Sequence, residues 1–341
     1  MAIRWSRWAA GIAALVLSAG EVRPGDVPGS VAPVLPQGNE THLSIMSYNV
    51  KGLPWPAAQG RTENLLAIGR ELAAQRWQGR QPHIVLLQEA FTSEAKAIGR
   101  AAGYRYVASG PRAGSVRYPA QPTLGKDFAA AATRLRGEGV GSWIDSGLVV
   151  LSDYPIVTSE DYAFPADACA GYDCLANKGV MLVRLAVPGS ERPLVVVNTH
   201  LNLDASSTGV GPARSDAVFA WQYRHLQQFV RSRAPADSLI VVAGDFNVGP
   251  AAQRRSTADR IGPPLSQAKE AVSQALHIRN LAPTARAAAQ AIAARRIDGV
   301  YYRGGGSAGL SLEGFDVPFP LGGPDSLSDH AGFVATFRIS S

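Results

Sequence analysis

Polar residues able to bind a hard cation or transfer a proton recur where short apolar runs of the chain end. Each one alone has an ordinary alternative, because Asn, Asp and His at strand ends also cap helices and form turns. Their number and regular placement together favour a catalytic site. The residues concerned are Asn49, Glu89, His200, Asp245, Asn247, Asp298, Asp329 and His330.

Glu89 ends the apolar run HIVLLQE. An inward-facing carboxylate there would be costly unless hydrogen-bond donors or a cation met it. Mg²⁺ takes oxygen ligands, and one or two carboxylates together with substrate phosphate are enough to bind it. Glu89 with Asn49 nearby meets this requirement, whereas zinc would need more His and Cys. The residues therefore predict a site for Mg²⁺ or another divalent cation such as Mn²⁺ or Ca²⁺.

Residues two positions apart in VVAGDFNVGP point to a shared phosphate group. On extended backbone, the side chains of Asp245 and Asn247 project to one side, and Gly244 permits close approach of a ligand. His200 in VVVNTHL also ends a strand, where it could donate a proton to a phosphoryl oxygen. The alternative for His200 is a purely structural histidine.

His330 in SLSDHAGF is the predicted general base. A neighbouring aspartate can hold an imidazole in the tautomer that activates water, and Asp298 in RRIDGVYY is the candidate. Hydrolysis of a phosphodiester needs an in-line nucleophile, positive charge on the non-bridging oxygens and stabilisation of the leaving oxygen. The set supplies all three and predicts a metal-dependent phosphodiesterase acting through activated water.

The elements that must position these residues are short β-branched runs interspersed with helical patterns. Helical patterns cover residues 62–76, 93–102, 215–233 and 281–295. Because neighbouring strand runs are sometimes too close for a crossover helix, we predict two mixed sheets flanked by helices. Residues 103–145 are predicted to form a surface excursion that shapes a substrate mouth. The strand runs are HLSIMSYN, HIVLLQEA, SGLVVLS, GVMLVRLAV, PLVVVNTH, SLIVVAGDFN, RIDGVYY and HAGFVATFRI.

Residues 1–20 carry Arg4 and Arg7 before an apolar run, which is typical of a secretory signal peptide. An uncleaved anchor is disfavoured because a membrane span needs ~20 apolar residues, about twice this run. Residues 21–40, rich in Pro and Gly, predict an extended leader, and one catalytic domain is predicted over residues 41–341. The predicted location is secreted or periplasmic.

Cys169 and Cys174 are the only cysteines, and an oxidising compartment would favour a disulfide between them. A metal pair is the alternative, but two thiols fall short of the usual four zinc ligands. The net charge of +6 would attract a polyanion or an anionic lipid surface without choosing between them.

The segments SYNVKG, VLLQEAF, SGLVVLS, NTHLN, GDFN and SLSDH, in that order, resemble the endonuclease/exonuclease/phosphatase superfamily from about Leu43 to Ile339. The resemblance implies an α/β fold, specifically a four-layer α/β/β/α sandwich, with the site at the top of two packed mixed sheets. It also implies hydrolysis of a phosphodiester in a phospholipid or a nucleic acid. The protein is predicted to be a monomer.

The resemblance also implies a role for each residue of the set. Asn49, Glu89 and Asp329 are assigned to the metal. His200 is implied to stabilise the phosphate, His330 to act as the base, and Asp298 to orient it, although Gly299 replaces an aromatic residue frequent in the family. Asp245 and Asn247 would orient the nucleophile and the phosphate.

The stretch CLANKGVMLVRL followed by VVVNTHLNLD is similar to secreted sphingomyelinases, which carry a Lys-Gly step held here by Lys178 and Gly179. A solvated surface lysine is the alternative for Lys178. A phospholipid-headgroup phosphodiesterase is therefore the first hypothesis. It would include transient contact with a membrane surface, and Trp55 or Trp143 could make that contact if they are not ordinary core or loop residues.

Two other functions stay open at this point. An extracellular nuclease or phosphatase of the same superfamily would use the same set. Apart from Arg254, Arg255, Arg295 and Arg296, however, the basic residues are scattered rather than clustered as in a nucleic-acid groove. A non-catalytic exported binding protein is disfavoured because a degenerate site would be expected to lose one of these groups.

Overall fold

A computed structural model describes residues 41–115, 124–188, 190–306, 308–323 and 326–340. The predicted signal peptide and leader lie outside the described residues, and the domain limits stay predictions. The strands are β1 (Thr41–Asn49), β2 (Ile84–Gln88), β3 (Tyr106–Ser109), β4 (Val149–Ser152), β5 (Ile156–Ala163), β6 (Gly179–Leu185), β7 (Leu194–His200), β8 (Ile240–Asp245), β9 (Lys269–Glu270), β10 (Asp298–Arg303), β11 (Gly309–Phe319) and β12 (Gly332–Ser340). The α-helices are α1 (Arg61–Trp77), α2 (Ser93–Ala101), α3 (Lys126–Ala130), α4 (Ala205–Thr208), α5 (Pro212–Arg233), α6 (Ala252–Ile261), α7 (Ala271–Ala275) and α8 (Pro283–Arg295).

The strands form two six-stranded sheets with the same arrangement. Sheet 1 has the order β11-β12-β1-β2-β4-β3, and sheet 2 has the order β5-β6-β7-β8-β10-β9. The central pairs β1–β2 and β7–β8 are parallel, and the other pairings are antiparallel. Both sheets are therefore mixed, as predicted.

Alternation along each strand builds the layers, because successive side chains of a strand point to opposite faces. Leu43 and Ile45 of β1 lie in the apolar cluster between the sheets, which also contains Val241 of β8. Met46 packs outward in the cluster that includes residues of α1 and α2. Val242 packs outward in the cluster that includes residues of α5. Three apolar interfaces thus separate four layers, and the predicted α/β/β/α sandwich is confirmed.

Four strands were not predicted, among them β9, whose two residues are too few to show any alternation. β3 lies inside the predicted excursion, and β5 carries mostly polar, exposed residues; each forms an edge of its sheet, so neither shows a buried apolar run. β11 contains Gly314 and Pro318 and makes two register shifts against β12, which obscures its alternation. The other described residues of the excursion form irregular chain with two short helical segments, Lys126–Ala130 and Arg134–Arg136.

Two further features bear on the sequence analysis. Cys169 and Cys174 form a disulfide, which confirms that prediction. Within the described part of the chain, no helix combines the length and apolar composition needed to cross a bilayer.

Candidate active site

The predicted polar residues face the space between the two sheets at one end of the sandwich. Asn49 ends β1 with the same inward parity as Leu43 and Ile45, and Asp245 ends β8 with the parity of Val241. His200 ends β7 on the same principle. The carboxyl ends of both central parallel pairs therefore deliver their polar residues to one place.

The antiparallel neighbours contribute from their amino-terminal ends. β10 runs opposite to β8 and begins at Asp298, which pairs in register with Asp245. β12 runs opposite to β1 and begins at Gly332, so His330, two residues earlier, lies at the same end of the sheet. Strand direction thus explains how residues distant in sequence meet.

Glu89 departs from simple alternation. It directly follows Gln88, which is the last residue of β2 and has inward parity. Glu89 has φ +54°, in the left-handed region that non-glycine residues rarely adopt. This backbone turn lets Glu89 reach Asn49 even though it follows an inward-facing residue. Such a conformation persists only where the surrounding structure enforces it, and it is frequent at functional sites.

Asn49 joins the two buried carboxylates of the site. Its amide nitrogen Nδ2 donates to Glu89 Oε1 at 3.1 Å and to Asp245 Oδ2 at 2.9 Å. Its oxygen Oδ1 accepts from Lys51 N at 3.0 Å. Burial raises the pKa of Glu89 and of Asp245, because a charged carboxylate loses its hydration between the sheets.

His200 lies on the other side of these carboxylates. Its Nε2 is 3.5 Å from Asp245 Oδ2 and 3.9 Å from Glu89 Oε1. Burial, followed by the charges of Lys178 and His330, lowers the pKa of His200 well below its ordinary value. These influences favour the neutral imidazole. Among the described residues, its Nδ1 has no hydrogen-bond partner.

Lys178 is a buried component of this site and not a solvated surface lysine. Its Nζ lies 3.1 Å from His200 Nε2, 2.7 Å from Asp173 Oδ1 and 3.0 Å from Leu201 O. An added Cβ on Gly179 would lie 2.0 Å from Tyr162 O, so the residue after Lys178 must be glycine. The Lys-Gly step thus has a packing reason as well as a chemical one.

His330 forms the second histidine contact of the site. Its Nδ1 lies 2.9 Å from Asp298 Oδ2, and its Nε2 lies 3.7 Å from Asp245 Oδ2. Burial alone would lower the pKa of His330, but the charges of Asp298 and Asp245 outweigh burial and raise it to about 10. Asp298 therefore holds the ring at Nδ1, and Nε2 points at the buried carboxylates.

Asp329 lies apart from the buried carboxylates. Its Oδ2 is 2.7 Å from Lys51 Nζ, and more than half of its side chain is exposed. The neighbouring Ser328 hydroxyl donates to Asn49 O at 2.7 Å, which ties the loop before β12 to the end of β1. The assignment of Asp329 to the metal stays a prediction. The observed contact of its carboxylate is with Lys51.

Asn247 reaches the site through a turn, which corrects the predicted extended backbone. Its φ is +50°, and its backbone N–H donates to Asp245 Oδ1 at 3.0 Å. Its amide nitrogen donates to Leu201 O at 2.9 Å. The buried guanidinium of Arg254 donates to Asn247 O at 2.8 Å and so holds the turn.

Sequence reasoning left several contributing residues out of the predicted set. Lys178 was noticed only through the resemblance, and Asp173 lies in a short 3₁₀ turn without any periodic signal. Gln88 Nε2 donates to Asn198 Oδ1 at 2.8 Å, forming a buried polar bridge between the sheets. The signal for that bridge was present, because both residues have inward parity on apolar strands.

The donor atoms of the site suit a hard divalent cation. Glu89, His200 and Asp245 offer ligand atoms that all lie within 4.8 Å of one another, and Asp245, Asp298 and His330 form a second such group. Glu89 and Asp245 are buried carboxylates that share one neutral donor, the amide nitrogen of Asn49. Their burial costs hydration free energy, and a bound cation would offset that cost. Their oxygen atoms suit Mg²⁺, so the residues present fit the implied metal.

The fold and this arrangement of carboxylates, imidazoles and lysine are those of a phosphoric ester hydrolase. The chain belongs to the Endonuclease/Exonuclease/phosphatase family, which it matches over residues 46–330. The predicted family is thereby confirmed.

Individual relatives are sphingomyelinases. The chain is 31% identical to Sphingomyelinase C 2 of Leptospira interrogans over 110 residues, which are 31% of this chain and 16% of the relative. It is 23% identical to the Putative neutral sphingomyelinase of Drosophila melanogaster over 308 residues, which are 87% of this chain and 61% of the relative. The chain thus spans less than two thirds of the length of either curated relative.

A solved structure, Sphingomyelinase C from Streptomyces griseocarneus, shares the fold. It superposes with a TM-score of 0.53 at 22% identity, over 87% of this chain and 99% of that chain.

Proposed function

We propose that this protein is an exported, divalent-metal-dependent phosphodiesterase that releases the headgroup of a phospholipid of the sphingomyelin type. The observation that carries the proposal is the convergence of Glu89, Asp245, His200 and His330 on one buried pocket, with Lys178 in contact with His200. The similarity to sphingomyelinases supports the lipid substrate.

In the proposed mechanism, His330 accepts the proton of the attacking water at Nε2. Asp298 holds the ring through Nδ1, which keeps the acceptor atom directed at the pocket. Asp245, next to His330 Nε2, orients the water. Base action needs the neutral imidazole, so the charges that raise the pKa of His330 also limit the fraction that is active at neutral pH.

The charge that develops on the phosphoryl group is met by residues of sheet 2. With Lys178 as the hydrogen-bond donor, Nε2 of His200 is the acceptor and its proton lies on Nδ1. The ammonium of Lys178 then supplies positive charge beside the carboxylates. Glu89 is proposed to hold a divalent cation beside Asp245, and Asn49 and Asp329 stay the predicted further ligands. When bound, the cation would neutralise non-bridging phosphoryl oxygens.

A metal-supplemented screen of phosphodiesters tests this proposal. We expect headgroup release from sphingomyelin vesicles in the presence of Mg²⁺, with little hydrolysis of lysophospholipid or plasmid DNA and measurable hydrolysis of a chromogenic diester. Absence of release with Mg²⁺, Mn²⁺ and Ca²⁺ would remove the lipid substrate. Nicking of plasmid that weakens steeply with salt would establish the nuclease alternative instead.

Substitution of Asp298 by Asn should move the pH dependence of the reaction. Removing its charge lowers the pKa of His330, so the rising limb of the pH–kcat profile should shift to lower pH. The plateau should fall by at least about tenfold because the ring loses its fixed tautomer. The matched control is Asp316→Asn, an exposed position on β11. A rising limb that stays in place, or moves to higher pH, contradicts the role of Asp298.

A further inference from the structure

The rim segment, residues 126–144, is fastened to the chain that leads into Lys178. Trp143 N donates to Leu175 O at 2.7 Å, and Asn177 N donates to Ile144 O at 3.0 Å. Glu138 Oε1 accepts from Gly171 N at 2.9 Å. These contacts place the rim segment beside the pocket that contains Lys178 and His200.

The rim segment exposes large apolar side chains. Leu135 is 83% exposed, Trp143 is 49% exposed and Val140 is 39% exposed. Single exposed apolar residues are ordinary, but three within nine residues of one anchored segment are a feature of interaction surfaces. Most of the Leu135 side chain and about half of the Trp143 side chain are therefore available to an apolar phase.

The exposed charges of the rim segment are mainly basic. Lys126 and Arg134 are exposed, and Arg136 is half-buried against Tyr172. Of its two acidic residues, Glu138 is buried and bound by Arg214. Only Asp127 opposes the basic side chains in the solvent-facing part.

An apolar tip with basic flanks matches a bilayer that contains anionic phospholipid. Leucine and tryptophan side chains enter the interfacial region, while arginine and lysine remain at the level of the headgroups. A nucleic acid fits less well, because bases stack on aromatic rings and the most exposed side chain here is Leu135, which has none. A bilayer docked on this segment would then lie beside the chain that leads into Lys178.

We propose that the rim segment is the membrane-docking surface of this protein and binds anionic phospholipid bilayers through Leu135, Val140 and Trp143. The inference rests on the proposed function only in that the docked bilayer would supply the substrate. Docking itself requires no turnover and is measurable without a metal.

Co-sedimentation of the full chain with vesicles tests the proposal, with EDTA present to prevent hydrolysis. The vesicles contain phosphatidylcholine with or without phosphatidylglycerol. The double variant Leu135→Ser, Trp143→Ser should bind phosphatidylglycerol-containing vesicles at least about tenfold more weakly than the unchanged protein. Arg134→Gln should weaken binding to these vesicles and leave binding to pure phosphatidylcholine unchanged.

The chain offers a matched control in Trp77→Ser, Val157→Ser. Trp77 is 78% exposed and Val157 is 53% exposed, so their replacement removes comparable apolar area. Trp77 ends α1, about 24 Å along the helix axis from Arg61, which binds the carbonyl oxygens that follow β1. This control variant should bind vesicles as the unchanged protein does.

Hydrolysis of a soluble chromogenic diester separates failure of docking from failure of catalysis. Both double variants should hydrolyse it at the unchanged rate, because none of the four residues belongs to the catalytic set. Equal vesicle binding by the rim and control variants would overturn the docking proposal, and so would binding of DNA that depends on Leu135 and Trp143. Vesicle binding by a protein that hydrolyses no diester would overturn the proposed function and leave the docking surface standing.

Discussion

Replacement of His330 by Ala should reduce kcat on the preferred phosphodiester by about 10²–10⁴-fold. The variant lacks the imidazole of His330. Among the described residues, it is the only imidazole that an aspartate holds at Nδ1 while its Nε2 points at the buried carboxylates. KM should change little, because the proton acceptor acts mainly in the transition state. Initial rates over a range of substrate concentrations, at saturating Mg²⁺, measure both constants.

Added imidazole makes this experiment specific for a proton acceptor. It should restore part of the rate to His330→Ala and leave the unchanged protein unaffected. The matched control is His277→Ala, because His277 is exposed at the end of α7. Loss of less than about tenfold in kcat would be too small for a general base and would assign the role elsewhere.

Replacement of Glu89 by Gln should abolish the metal response of the protein while stabilising its metal-free form. Burial raises the pKa of Glu89, so keeping this carboxylate ionised at pH values above its unfolded pKa costs folding free energy. The neutral amide removes that cost and can still accept from Asn49. In EDTA the unfolding temperature should therefore rise, by about 2–4 °C for each kcal/mol gained.

In the presence of Mg²⁺ the order should reverse. The unchanged protein should gain unfolding temperature with increasing Mg²⁺, since a ligand that binds only the folded state stabilises it. Glu89→Gln should show no such gain and should lose at least about 10²-fold in kcat. Glu313→Gln, at a surface ion pair with Arg338, is the control and should keep the full response. A Mg²⁺-dependent rise that survives in Glu89→Gln would exclude Glu89 as a ligand.

Much of the fold and site could be predicted from the sequence because its core strands are buried on both faces. Such strands appear as continuous β-branched runs, and the polar residue that ends each run is conspicuous. Asn49, His200 and Asp245 were found in this way, and the structure brings them together. The direction of the strands then determines that Asp298 and His330 arrive at the same end.

The remaining features depend on three-dimensional packing that no local pattern reports. The side chain of Lys178 could be solvated or buried on sequence grounds, and only the approach of Asp173 and His200 decides between the two. The turn at Asn247 is held by Arg254, a buried residue of α6 whose contacts no local pattern reports. The edge strands β3 and β5 lacked a signal because they bury little apolar surface.

Asn49 belongs to sheet 1, and Glu89 and His330 lie beside its strands. His200, Asp245 and Asp298 belong to sheet 2. The contacts from Asn49 to Asp245 and from His330 to Asp298 cross from one half of the molecule to the other. Neither sheet alone therefore carries all the groups of the proposed active site. Buried side chains that never meet substrate, such as Val183 and Val241, therefore also determine the geometry of the site, because they set the spacing between the two sheets.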